Sequence, residues 1–355
     1  MSTNSSTLSA AEMLLGRYID ATGAPIDGGP ALAQPLPDLR AQVAAEPAGA
    51  MPPRQLESGI KVVDLYAPLL RGGIISLVAG AGVGKTVLIE ELIQRVATRQ
   101  GGCAVLASLD DDGFTKNDVI AEFRSSGVER YVAAVLGRRD EPAGTAERVG
   151  LLGLALAEDL CRHGREVLLF LDELVVTPAT VDRLLARQHG ATAALTIFIL
   201  QHKTPADRAP AGALGTLLRD GDGRIVFNRA LGQQNIYPAI DPLQSSSRLL
   251  DERLASAEHL RVAGEARQLL QRTGAVAGAG EASDPLYGRA RRTLLFQAQP
   301  FVVAEPYTAV PGEYVPLADT IRGFGELVAG TYDALPDDAF RFVGAIEQAL
   351  AKAGA

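Results

Sequence analysis

Near-continuous apolar runs at 74–79 (IISLVA), 103–109 (CAVLASL), 131–136 (YVAAVL), 167–171 (VLLFL), 194–200 (ALTIFIL) and 224–227 (RIVF) alternate with stretches whose apolar residues recur at spacings of three and four. The runs predict strands, and the segments 85–98, 117–126, 143–162 and 177–188 predict helices. Strands without polar alternation, separated by helices, imply a mostly parallel sheet covered on both faces. Ligands then belong at the carboxyl ends of the strands. From about residue 245 the strand signals fade. DERLASAEHLRVAGEARQLLQRTG, ASDPLYGRARRTLLFQA, LADTIRGFGELVAG and PDDAFRFVGAIEQALAKA all carry helical spacing. Asp319 lies near one predicted helix start, and Pro336 with Asp337 and Asp338 opens another.

Ahead of the sheet, residues 13–29 read as a short strand, a Gly/Pro turn and an extended exit, and residues 30–53, rich in Pro and Ala, as a wrapping connector. The expected organisation is an extended N-terminal segment and connector over 1–55, an α/β nucleotide-type domain over 56–244 and a helical domain over 245–355.

The chain has 355 residues, 47% hydrophobic and 21% charged, a composition that excludes wholesale disorder and leaves ample material for a core. Its formal net charge is −8 and aromatic residues make up 5%, with no Trp. Neither a global positive charge nor an aromatic stacking surface favours nucleic acid as a partner. No stretch reaches the roughly 18 apolar residues of a spanning helix, and the N-terminus lacks the layout of a signal peptide. Cys103 and Cys161 fall at a strand start and a helix end without a CxxC pattern. A reduced, cytoplasmic chain is the expectation, peripheral to any membrane complex through partners and without direct membrane insertion.

The strongest chemical signal follows the first long strand. IISLVA runs into GAGVGKTVLIEELIQRVA, a glycine-rich loop opening a helix. Closely spaced small residues let successive N–H groups face a phosphate chain, Lys85 reaches the outer phosphates, and Thr86 ligates magnesium. The full phosphate-loop pattern asks for Gly at 79, where this chain has Ala79, and a purely structural glycine turn is the bland alternative. Asp172, at the end of EVLLFLDE, suits a water-mediated magnesium contact or, alternatively, a helix cap. A base for the attacking water is offered by Glu173 or by the run Asp110, Asp111, Asp112, which reads equally well as a solvated loop.

LESGIKVVDLYAPLLRGG at 56–73, GAGVGKTVLIEELI at 80–93, EPAGTAERV at 141–149, VLLFLDE at 167–173, NIYPAIDPLQSSSR at 235–248, QPFVVAEPYT at 299–308 and the segment 314–344 occur in one order along the chain. Together they resemble the catalytic beta subunit of the rotary ATP synthase, with flagellar and type III export ATPases as relatives of the central part. The resemblance implies a RecA-like P-loop NTPase domain followed by a helical domain, ATP or ADP with Mg2+ as ligands, and assembly with copies of itself or a related ATPase subunit. It implies that the small N-terminal β-barrel of that family is missing here. By position it carries Gly80, Gly82, Val83, Gly84, Lys85, Thr86 and Val87 onto the phosphates, and Thr86 with Asp172 onto magnesium. It carries Tyr237, Phe301, Ala304 and Tyr307 onto the adenine pocket. Residue type alone makes Phe301 ordinary core. Arg248 takes the position of an arginine finger offered to a neighbouring subunit, and in a lone monomer its guanidinium is expected to be unsatisfied.

The departures bear on activity. The family's catalytic Glu-Arg pair is replaced by SLDDDGFTKND, which puts Asp111 on the Glu and Asp112 on the Arg. The segment after 173 and the acidic rotor-contact turn are shortened. The sequence therefore supports a Mg-dependent ATP-binding protein with slow hydrolysis through Lys85, Asp111 or Glu173, and Arg248. The alternatives are a catalytically inactive nucleotide-binding regulatory or assembly protein, or an export-type ATPase.

Overall fold

The computed structural model describes residues 9, 11–32, 36, 53–110, 114–188, 194–202, 212–219, 221–279 and 284–354. In chain order the strands are β1 (Tyr18–Ile19), β2 (Gln55–Leu56), β3 (Leu69–Leu70), β4 (Ile74–Ala79), β5 (Cys103–Asp110), β6 (Val132–Arg138), β7 (Val167–Asp172), β8 (Leu195–His202), β9 (Gly223–Val226) and β10 (Ser246–Ser247). The helices are α1 (Lys61–Tyr66), α2 (Lys85–Gln100), α3 (Phe114–Ser125), α4 (Thr145–Arg162), α5 (Pro178–Gln188), α6 (Gly212–Arg219), α7 (Arg229–Gln233), α8 (Ala257–Thr273), α9 (Pro285–Gln297), α10 (Glu305–Thr308), α11 (Leu317–Val328) and α12 (Ile346–Ala353). The chain divides into two compact units, one of Met1–Met51, Ile93–Leu200 and Arg208–Asp220, the other of Pro52–Leu92, Gln201–Asp207 and Gly221–Ala355.

In the first unit the strands run β1-β6-β5-β7-β8, all parallel. Every residue of β7 is buried, as a strand covered on both faces requires. Phe170 on β7 stacks on Phe198 of β8 with ring centroids 5.0 Å apart. Helix α4 packs closely on this sheet because Gly153 lacks a Cβ, which would lie 2.6 Å from the Ala107 methyl. The N-terminal segment read as strand, turn and extended exit supplies β1, which pairs with β6 through Tyr18↔Ala134 and lends the sheet an edge strand. Arg17 closes this segment on Asp27 at 2.6 Å, and the guanidinium with the Tyr18 and Gly29 amides holds the Asp27 carboxyl well below the usual carboxylate range.

In the second unit β4 and β9 are parallel and β10 runs antiparallel to β9, a mixed arrangement followed by the helices α8 to α12. The segment 336–353 is not the single helix that its spacing predicts. It forms a 3-10 turn at Asp337–Phe340, breaks, and resumes as α12. The break passes through Phe342, whose φ of 51° is left-handed, and it frees backbone carbonyls that a continuous helix would have consumed. The fully buried Lys61 takes two of them, its Nζ donating to the Val343 and Gly344 carbonyls at 2.7 and 2.9 Å.

Beside it, buried Asp64 accepts from the Ser58 amide and hydroxyl and from the Gly59 amide. Burial nevertheless pushes its carboxyl up to about 6 from the ordinary 3.8. A carboxyl raised on folding favours the native state while protonated, so this contribution is present below about pH 4 and lost as pH rises through about 6. Asp64→Asn, though destabilising in itself, should remove roughly 2 kcal/mol of the stability change between pH 4.5 and pH 7. Urea midpoints of wild type and variant at pH 4.5 and pH 7 measure it, and an unchanged slope refutes it.

Candidate functional site

The phosphate-type loop lies wholly in the second unit. Strand β4, buried throughout, delivers the chain to Gly80, and α2 begins at Lys85. Between them Gly82 and Gly84 adopt φ of 70° and 90°, values that L side chains rarely take. An added Cβ at either position would meet nothing within 4 Å, so the loop borders open space. A helix N-terminus with no acidic residue in its first turn attracts anions, which is the property a phosphate chain uses. The residues present therefore suit nucleotide phosphates in shape and in charge. Val83 is buried beneath the loop, and Val87 is exposed on the first turn of α2.

Two neighbours of the loop escape a reading by motif. Lys85 Nζ stands 3.2 Å from Nδ1 of His202 at the end of β8. A lysine ammonium has only donors, so in this contact the imidazole Nδ1 is the acceptor. The position of His202 at the carboxyl end of a strand was the available signal, since that is where α/β sheets hold ligands. Arg229, the first residue of α7, donates from Nη2 to the Ala81 carbonyl at 2.8 Å.

The residues expected around adenine are in the same unit. The Tyr237–Pro238 bond is cis, the Tyr237 carbonyl accepts from the Gln299 amide at 2.9 Å, and the Tyr237 ring is 43% exposed. Phe301 is buried at 6% exposure, Ala304 is half-buried, and Tyr307 on α10 is 70% exposed. Fully buried Glu91 on α2 accepts from the Val303 amide at 3.1 Å. The helix that follows the phosphate loop thus also anchors the segment bearing Phe301, Ala304 and Tyr307.

Asp172 and Glu173 are in the first unit. Asp172 Oδ2 accepts from the Ser108 hydroxyl at 3.2 Å, and Oδ1 accepts from the Leu174 amide at 3.0 Å, capping a 3-10 turn at Glu173–Val175. The cap alternative is therefore realised, yet a carboxylate offers about four acceptor positions and a metal-bound water is compatible with it. Glu173 opens that turn and is half-buried. Asp111 lies outside the described residues, as does its neighbour Asp112. Among the described residues no cluster of three or more His, Cys, Asp and Glu is placed to hold a metal. Magnesium held with a nucleotide draws most of its ligands from phosphates and water, so a hydroxyl such as Thr86 and one carboxylate such as Asp172 match its chemistry.

Arg248 corrects an expectation. Its guanidinium is satisfied within the chain, Nη1 lying 2.6 Å from Asp222 Oδ1. The cause is local: β10 pairs with β9, the Arg248 amide donates to the Asp222 carbonyl, and buried Asp222 also accepts from the Ile74 amide. The side chain remains 59% exposed.

Residues 59–179 match the ATP synthase alpha/beta family, nucleotide-binding domain. The chain carries a nucleotide-binding domain of this family. The RecA-like P-loop core expected from the sequence is present, a mixed sheet followed by a helical C-terminal region. The matched span of this nucleotide-binding domain includes Gly80 to Val87, Asp172 and Glu173, whereas Tyr237, Arg248, Phe301, Ala304 and Tyr307 lie beyond it. No helix among the described residues is long and apolar enough to cross a membrane.

Proposed function

We propose that the protein binds Mg-ATP and hydrolyses it slowly. The observation that carries this reading is the junction from β4 through Gly82 and Gly84, both left-handed, to the first turn of α2 at Lys85, inside a nucleotide-binding domain of the ATP synthase alpha/beta family. Backbone amides and Lys85 neutralise the phosphates, and Thr86 and Asp172 are the magnesium residues. When bound, the ion supplies charge neutralisation at the transferred phosphoryl group. Glu173 orients the attacking water, with Asp111 as the other candidate, and Tyr237, Phe301, Ala304 and Tyr307 accept the adenine. Arg248 is offered to a neighbouring copy or related subunit, a role for which its pair with Asp222 must open.

A second reading, binding without turnover in a regulatory or assembly role, is favoured by the sequence difference at the family's Glu-Arg pair, where the resemblance aligns Asp111, a side chain one methylene shorter, and Asp112, of opposite charge to arginine. Measuring Mg-ATP binding and steady-state hydrolysis on one sample across protein concentrations decides between them. Turnover per subunit that rises with concentration supports the catalytic reading with Arg248 acting across a contact. Binding with no turnover at any concentration supports the regulatory one, and absence of binding refutes both.

A further inference from the structure

The phosphate loop is built from residues that leave its peptide planes loosely determined. Gly82 and Gly84 are left-handed, and nothing within 4 Å crowds the position where their side chains would be. A peptide flanked by glycine rotates at little steric cost. In a trans peptide the carbonyl and the following N–H point in opposite directions. The direction of the Ala81 carbonyl therefore sets the direction of the Gly82 N–H, one of the amides available to a phosphate chain.

Arg229 supplies the restraint, donating from Nη2 to the Ala81 carbonyl at 2.8 Å. The base of its side chain is held firmly although the residue itself is exposed. Asn228 caps α7 by accepting from the Ala230 amide at 2.9 Å, and its own amide donates to the Ala239 carbonyl at 2.8 Å. Asn228 Nδ2 donates to Oδ2 of Asp241 at 2.8 Å, and Asp241 is 2% exposed. This anchored stem carries a guanidinium to the Ala81 carbonyl oxygen, and a charge-assisted donor is the stronger kind of hydrogen bond.

We infer that Arg229 is a positioning residue of the phosphate loop: by holding the Ala81 carbonyl it keeps the Gly82 N–H turned to the opposite side, toward the β- and γ-phosphates of a nucleotide. This rests on the reading of residues 80–86 as a phosphate site. Three consequences follow for the full chain. Arg229→Ala weakens Mg-ADP and Mg-ATP by about tenfold, the scale of one charge-assisted hydrogen bond. AMP, which lacks the outer phosphates, competes as well against the variant as against wild type. Arg229→Lys, which still reaches the carbonyl with a donor, restores most of the lost affinity.

The experiment titrates ATP, ADP and AMP against wild type, Arg229→Ala, Arg229→Lys and Lys85→Ala, with the melting temperature of each nucleotide-free protein recorded alongside. Selective loss of ADP and ATP affinity at an unchanged nucleotide-free melting temperature, with rescue by lysine, supports the proposal. Wild-type affinity in Arg229→Ala while Lys85→Ala is weakened overturns it and leaves the phosphate site standing. Equal weakening of all three nucleotides with a lowered melting temperature also overturns it, as a merely structural contact. If Lys85→Ala binds ATP as wild type does, the phosphate-site reading itself falls, and this proposal falls with it.

Discussion

Lys61→Ala should lower the unfolding free energy by about 3–5 kcal/mol, the scale of a long buried side chain replaced by a cavity together with two buried carbonyls left without their donor. The lysine is fully buried at the start of α1. Its ammonium donates to the Val343 and Gly344 carbonyls and lies 3.8 Å from the centre of the Phe296 ring. Burial drives its pKa well below the ordinary lysine value, with Glu313 pulling the other way. Removing the side chain leaves two buried carbonyls without that donor and a void against the Phe296 ring. Lys61→Met keeps most of the volume and separates the contributions: it should recover the packing part and retain the loss from the unsatisfied carbonyls. Urea unfolding of the three proteins tests this. Wild-type stability in Lys61→Ala would mean that the break before α12 is held by something other than this contact.

Glu173→Gln should reduce ATP turnover by about 10²–10⁴-fold, the range for general-base assistance, while leaving Mg-ATP affinity unchanged. A carboxylate directly after Asp172 reaches a different direction from Asp172 only if the backbone turns there. It does: Asp172 is extended, with ψ of 140°, and the 3-10 turn starts at Glu173. The amide replacement keeps size and removes basicity, so a structural role would not move turnover by this amount. Asp111→Asn, measured beside it, assigns the base. Unaltered turnover in Glu173→Gln with loss in Asp111→Asn overturns the preference for Glu173, and loss of ATP affinity in Glu173→Gln would show a binding role instead.

The strands were legible because each is a run of apolar residues bounded by turns, and β4, β5, β7 and β8 begin and end within about two residues of those runs. The phosphate loop was legible for a related reason: glycines at 82 and 84 and a lysine at the head of a helix are a local pattern, and left-handed φ is a local demand. Contacts distant in sequence left no such trace. Glu91 and Val303, Arg229 and Ala81, Ser108 and Asp172, and Lys85 and His202 are each separated by more than 60 residues. The resemblance also misled where a contact intervened. Arg248 was expected without a partner because Asp222, 26 residues earlier, reaches it only through the pairing of β10 with β9. The segment 336–353 was read as one helix because its spacing is helical, and nothing local announces the left-handed Phe342 or the buried lysine that donates to the carbonyls of the broken turn.

Sequence by itself determined the alternation of strands and helices, the phosphate-type loop and the helical C-terminal region, because hydrophobic period, glycine conformation and helix starts are set by residues close along the chain. Only the tertiary structure decided which carboxylate caps, which arginine is already paired, and which lysine is buried. Those outcomes depend on burial and on hydrogen-bond partners brought together across long separations, and the energy of a charged group is governed by those surroundings rather than by its neighbours in sequence.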